Sequence, residues 1–214
     1  MRLKRSLLVS LVFLVISIWV AVWLYARLPA QVPTHWSLQG QVNGHMPRYW
    51  AAAIWPLMIV VVAGLTWLLP VISPRRFEIR PFSQVYTLLM LAVQGLLLAL
   101  GIATLLSGAG HAVPMPKLAM LGTSVLFMLI GNYMGKLRKN FFIGIRTPWT
   151  LASDAVWERT HRMAGWLFML AGALGIVFIL ADVPMWLTIA LMLAAAFIPA
   201  LYSLMVYKRL SASD

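Results

Sequence analysis

The chain has 214 residues, 62% of them hydrophobic and 10% charged, with a mean hydropathy of +0.88. A soluble domain of this size cannot hide so much apolar surface, so hydrocarbon must be its main solvent. Cysteine is absent, which excludes disulfides, thiolate catalysis and cysteine-based metal sites.

Six apolar stretches, near 6–26, 50–72, 84–106, 118–135, 163–181 and 185–207, are long enough to cross a hydrocarbon core of ~30 Å as helices. None contains Asp, Glu, Lys, Arg or His. The first follows Arg2, Lys4 and Arg5, as a signal peptide would. It exceeds the ~7–15 residues of a secretory apolar core, and Arg27-Leu28-Pro29 is a poor cleavage site, so it reads as a retained anchor.

The formal net charge of +12 is explained by its distribution. Segments 1–5, 73–83, 136–162 and 208–214 hold 14 of the 17 Lys and Arg residues; the alternating segments hold only Arg27, Arg48 and Lys117. The positive-inside rule then predicts both termini in the cytoplasm, and the charge reports orientation, not nucleic-acid binding. Trp23, Trp50, Trp149, Trp166 and Trp186 lie near span ends, where interfacial anchors belong.

The first connection, 28–49, is outer and turn-rich, punctuated by Pro29, Pro33, Gly40, Asn43-Gly44 and Pro47. A short hairpin-like excursion is predicted from Val32 to Val42. His35, His45 and His111 could together hold a metal ion, although no carboxylate or HExxH pattern accompanies them. The plainer reading has His35 and Trp36 plugging the outer mouth of the bundle while His45 is solvated. The inner connection 73–83 is short and basic. At 182–184, Asp182 and Pro184 suit the opening of the last helix.

The longest connection, 136–162, is inner. Lys136, Arg138 and Lys139 face anionic headgroups in this reading, Phe141 and Phe142 dip into the interface, and Gly144 breaks the chain. Thr150 or Ser153 can cap a helix that runs unbroken from Asp154 into the fifth span. Glu158 and Arg162 are spaced for an i,i+4 ion pair, and Trp157, His161 and Ala164 share one face. The alternation of long and short loops predicts an all-α polytopic protein in two inverted three-helix halves, 1–110 and 111–214. Thr34-His35-Trp36-Ser37-Leu38 also parallels Thr147-Pro148-Trp149-Thr150-Leu151.

Gly131, Asn132, Tyr133, Lys136, Asn140, Gly144 to Leu151 (GIRTPWTL), Ser153, Trp157, Thr160, His161 and Gly165 resemble the C-terminal signature of the SdpI family of bacterial membrane proteins. Leu28, Pro29, Val32 to Trp36 (VPTHW), Gly40 and Gly44 resemble the domain of unknown function that often precedes it. The resemblance implies a multi-pass protein of the bacterial cytoplasmic membrane, associated with immunity to a secreted, membrane-active peptide toxin. It also implies signalling, through a soluble transcriptional repressor held at the membrane.

The leading expectation is therefore a non-enzymatic immunity or sensor protein, embedded in the lipid bilayer, with no cofactor and no direct contact with nucleic acid. Pro33, Thr34, His35, Trp36 and Gly40 would meet the peptide outside. Asn132, Asn140, Arg146, Thr147, Pro148, Trp149, Thr150, Trp157 and His161 would form the inner, partner-binding face. A small transporter or exporter is the alternative, prompted by the inverted plan. Spans without ionisable residues oppose it, and Thr66, Gln94, Thr123, Ser124 and Ser203 are mild mid-span groups. A metal-dependent membrane enzyme is the third reading, resting on the three outer histidines.

Overall fold

The structure, a computed structural model, describes residues 3–212; Arg2 and the side chains of Lys4 and Arg76 lie outside the described residues. Helix α1 (Leu3–Tyr25) leads into strands β1 (Gln31–Trp36) and β2 (Val42–Pro47). Helix α2 (Arg48–Ile72) follows, and two single 3₁₀ turns at Arg75–Phe77 and Arg80–Phe82 lead into α3 (Ser83–Gly108). Then come α4 (Met115–Met134), the short α5 (Pro148–Ala152), α6 (Asp154–Leu180) and α7 (Met185–Ser211). Among the described residues six helices are long and apolar enough to cross a membrane, and the chain is a multi-pass helical membrane protein.

The predicted spans match these helices with shifts at their ends. The largest shift is in the fifth: α6 begins at Asp154, so the expected unbroken run into that span is present. Ser153 caps it, its hydroxyl accepting from the Val156 amide. Asp182 has a different role from the one expected. It adopts a left-handed conformation (φ 53°), and the Val183 amide donates to the Phe178 carbonyl at 2.9 Å, so Asp182 closes α6. Pro184 is left to precede α7.

The chain forms two compact units, Met1–Trp67 with Met90–Gly122, and Leu68–Leu89 with Thr123–Asp214, whose boundaries fall inside α2, α3 and α4. In the first unit α1 is inside-out relative to a soluble helix. Ser6, Ser10 and Ser17 are buried, while Leu8, Leu11, Val15, Trp19 and Val22 are exposed. Where lipid surrounds the protein, small hydroxylated faces pack inward and large apolar ones face the solvent. Val20, Ala21, Leu24, Leu28, Val32, Ala51, Ala52 and Leu105 form a buried cluster that anchors the hairpin through Val32. β1 and β2 pair antiparallel from Gln31–Pro47 to Trp36–Val42, with register shifts around His35. The hairpin is thus longer than the predicted excursion, and it is the departure from an all-helical chain.

In the second unit α4 and α6 meet backbone to backbone. A Cβ on Gly131 would lie 2.6 Å from the Met169 nitrogen and 2.7 Å from the Gly165 carbonyl, and one on Gly165 would lie 3.0 Å from the Gly131 carbonyl. Such small-residue seams let membrane helices approach closely enough for dispersion to hold them. Gly131→Leu is therefore expected to cost ~1–3 kcal/mol by overpacking. Thermal unfolding in detergent, followed by near-ultraviolet circular dichroism, should show the lowered midpoint. Gly64→Leu is the control, because nothing lies within 4 Å of that position.

Candidate functional site

The segment between α4 and α6 is held by its own polar side chains. Asn140, fully buried, uses its whole amide. Its Nδ2 donates to the Arg138 carbonyl at 2.9 Å and the Ile143 carbonyl at 3.0 Å. Its Oδ1 accepts from the Phe142 and Ile143 amides at 2.8 and 2.7 Å. Two donors and two acceptors saturate an asparagine, so the loop is folded around this side chain.

Gly144 comes next, at φ 105°, and a Cβ there would collide with Nε2 of His161. The absence of that Cβ lets the Ile145 amide donate to His161 Nε2 at 3.1 Å. A backbone N–H can only donate, so Nε2 is the acceptor and the ring proton sits on Nδ1, which donates to the Trp157 carbonyl at 2.9 Å. His161 is 1% exposed and stacks on Trp157 at 4.0 Å between ring centroids. The indole Nε1 of Trp157 donates to the Leu137 carbonyl at 2.8 Å, tying α6 to the end of α4.

α5 is closed by a reciprocal cap. The Thr147 hydroxyl accepts from the Thr150 amide at 3.2 Å, and the Thr150 hydroxyl accepts from the Thr147 amide at 2.9 Å. The buried Thr150 hydroxyl lies 2.9 Å from the Ile145 carbonyl, and Thr147 meets the Ser203 hydroxyl on α7 at 3.0 Å. Ser203, one of the mid-span polar groups, thereby ties α7 to the cap of α5.

Beside this framework lies an open cleft of about 1220 Å³. Arg75, Arg80, Lys136, Arg138, Lys139 and Arg162 line it with Glu78, Asp154 and Glu158, and Trp157 and His161 also face it. Lys139 pairs with Asp154 and lies over the Phe77 ring at 5.9 Å. Phe141 also meets Phe77, at 4.1 Å between centroids. Glu158 and Arg162 form no ion pair with each other among the described residues; both line the cleft. Arg75, Glu78 and Arg80 sit in a short loop whose charges the sequence offered only as orientation signals. Their place on the same membrane side as 136–162 was the signal available.

The structure brings together Asn140, Thr147, Thr150, Trp157 and His161. Arg146 and Pro148 are exposed at their edge and Trp149 is half-buried; the Arg146 guanidinium donates to the Phe141 carbonyl. Asn132 is exposed on α4 and joins no hydrogen bond of this network among the described residues. In the outer hairpin Pro33, Thr34 and Trp36 are half-buried, while His35 and Gly40 are exposed. His35 Nδ1 meets Asn43 Oδ1. His35, His45 and His111 are each exposed, and no group of three potential metal ligands converges among the described residues. The matching pentapeptides fold differently: Thr34–Leu38 runs from β1 into its turn, whereas Thr147–Leu151 caps and forms α5.

Asn140→Ala would leave two amides and two carbonyls of this loop to find other partners, a loss of ~2 kcal/mol or more at typical net hydrogen-bond values. Local opening should rise ~30-fold. Trypsin acting at Lys139 and Arg146 in reconstituted vesicles would measure it as faster cleavage. Asn140→Asp should not rescue, since a carboxylate would face two carbonyl oxygens.

Residues 136–203 match the SdpI/YfhL protein family, and residues 12–60 match a domain of unknown function, DUF1648. These two regions contain the inner framework and the outer hairpin. The chain is 28% identical over 211 residues to the "Immunity protein SdpI" of Bacillus subtilis (strain 168), covering 96% of this chain and 98% of that protein. No solved structure matches it. Both loop regions thus match family models and a relative aligns nearly end to end, so the chain is similar to the SdpI/YfhL family over residues 136–203 and to that immunity protein over almost its whole length.

Proposed function

We propose that this chain is an immunity and sensor protein of the bacterial cytoplasmic membrane. It gives resistance to a secreted, membrane-active peptide and reports the peptide's presence to a cytoplasmic transcriptional regulator. The observation that carries this reading is the alignment, across 96% of the chain, with a protein named for immunity. The distribution of Lys and Arg supports cytoplasmic termini, with the hairpin outside and the framework inside.

In this reading the two-stranded hairpin meets the peptide. Each strand has one unpaired edge to which an extended segment can add by main-chain hydrogen bonds. Thr34 and His35, with Trp36, supply polar and aromatic contacts beside that edge. On the inner face Arg146, Pro148 and Trp149 form the surface that holds the regulator. The halves 1–110 and 111–214, in opposite orientations, would couple the faces if peptide binding favours one of two bundle arrangements.

A second reading, a small transporter, draws on Gln94 of α3. It is fully buried, with both amide atoms unpaired among the described residues, an arrangement that is costly inside a membrane. Flux through proteoliposomes that disappears in Gln94→Leu would favour transport.

Toxin-sensitive cells expressing the chain should survive challenge by at least one peptide of a broad panel. The His35→Ala and Trp36→Ala double variant, present in the membrane at equal level, should lose that protection. Unchanged sensitivity to every peptide would count against immunity. Cysteines placed at Gly40 and Pro148 should react with impermeant reagents from opposite sides. Labelling from one side alone would overturn the orientation.

A further inference from the structure

The cleft beside the inner framework has a composition that partner docking does not require. Six basic side chains (Arg75, Arg80, Lys136, Arg138, Lys139 and Arg162) line one concavity of about 1220 Å³ with three acids. One of those acids, Asp154, is already engaged by Lys139. Five cations therefore converge on a space whose other two carboxylates, Glu78 and Glu158, have no ion pair among the described residues. Orientation signals need only be present on one side of the membrane; they need not surround a cavity.

The cleft also sits at one level along the helices. Arg80 opens the apolar stretch Arg80–Gly108, Lys136 follows the end of α4 at Met134, and Arg162 lies in the opening turns of Asp154–Leu180. These are the depths at which hydrocarbon gives way to headgroups. His161 and Trp157 face the cleft with their ring nitrogens already committed to Ile145, Trp157 and Leu137 backbone groups. The remaining charged groups are therefore mostly cationic, with Glu78 and Glu158 as the acids and Ser83 and Gln84 as neutral polar groups beside them. Four arginines supply planar forks that match phosphate oxygens, and the volume exceeds the need of a single phosphate.

We propose that this cleft is a binding site for the phosphate headgroup of an anionic membrane phospholipid, with Arg80, Lys136 and Arg162 as its principal contacts. Basic pockets between membrane helices select such headgroups by charge and by hydrogen bonding. The site does not rest on the immunity reading, because its residues belong to the α3, α4 and α6 ends and not to the hairpin or the Arg146 edge.

The test is native mass spectrometry of the full chain released from nanodiscs of phosphatidylglycerol and cardiolipin, or of phosphatidylcholine alone. The chain should retain anionic lipid and not phosphatidylcholine. The triple variant Arg80→Gln, Lys136→Gln, Arg162→Gln should lose retention by roughly 100-fold, from the typical contribution of each basic residue near an anionic surface. Lys208→Gln with Arg209→Gln, which removes two cations outside the cleft, should leave retention unchanged; near-ultraviolet circular dichroism confirms that each variant is folded. Equal loss in both variants, or equal retention of phosphatidylcholine, would overturn the site. Titration of lipid-free protein with inorganic phosphate separates the sources: binding as tight as that of the lipid would assign a soluble phosphate ligand instead. Displacement of retained lipid by an acidic peptide alone, with no selectivity among lipids, would assign the cleft to a protein partner and end the lipid proposal.

Discussion

The structure depends on one constraint: backbone that is not helical, placed where helices leave hydrocarbon, must find its hydrogen bonds within the protein. The chain between α4 and α6 meets it with side chains. Asn140 serves four backbone groups, His161 receives the Ile145 amide, Trp157 holds the Leu137 carbonyl, and Thr147 and Thr150 close α5. Each is polar, and most are fully buried. Residues that would look reactive in a soluble enzyme here have their hydrogen-bonding capacity used up in holding a loop.

That economy separates two kinds of residue within one signature. Asn140, Thr150, Trp157 and His161 are buried and satisfied, whereas Asn132 is exposed and the buried Thr160 hydroxyl has no partner among the described residues. Lys136, Arg138 and Arg162 are left beside a cavity, and Arg146 at an exposed edge. A rigid, neutral floor under a cationic cleft suits recognition of an anion better than proton transfer, because the imidazole of His161 has no free nitrogen to exchange. The outer loop uses a different device. Its backbone is satisfied by pairing two strands, and it is fixed to the helices through the apolar Val32 cluster, so its exposed edge stays available.

The glycines of the α4–α6 seam and the glycine of the inner loop do separate work. Gly131 and Gly165 allow two helices to touch along their backbones, whereas Gly144 combines a left-handed turn with contact to a buried ring. Both are steric demands; Gly144 and Gly165 lie within the residues that match the SdpI/YfhL family, and Gly131 lies just before them. The signature therefore records packing at least as much as recognition.

The sequence by itself determined the solvent, the number of spans and the concentration of polar residues in two loops. Apolar runs of membrane length and the one-sided placement of Lys and Arg have no soluble explanation. It also located the start of α6, because Ser153 and Asp154 form a cap that is read locally. Only the tertiary structure decided which polar residues are framework and which line a cleft. Asn132 and Asn140 look alike along the chain, yet one is exposed and the other fully buried. Glu158 and Arg162 have ideal spacing on a helix, but groups from the 73–83 loop and from 135–139 share their cleft. Short-range spacing fixes caps and helices through contacts between near neighbours. The Thr147 that meets Ser203, and the cations that share the cleft, come from segments far apart in the chain, and packing alone brings them together.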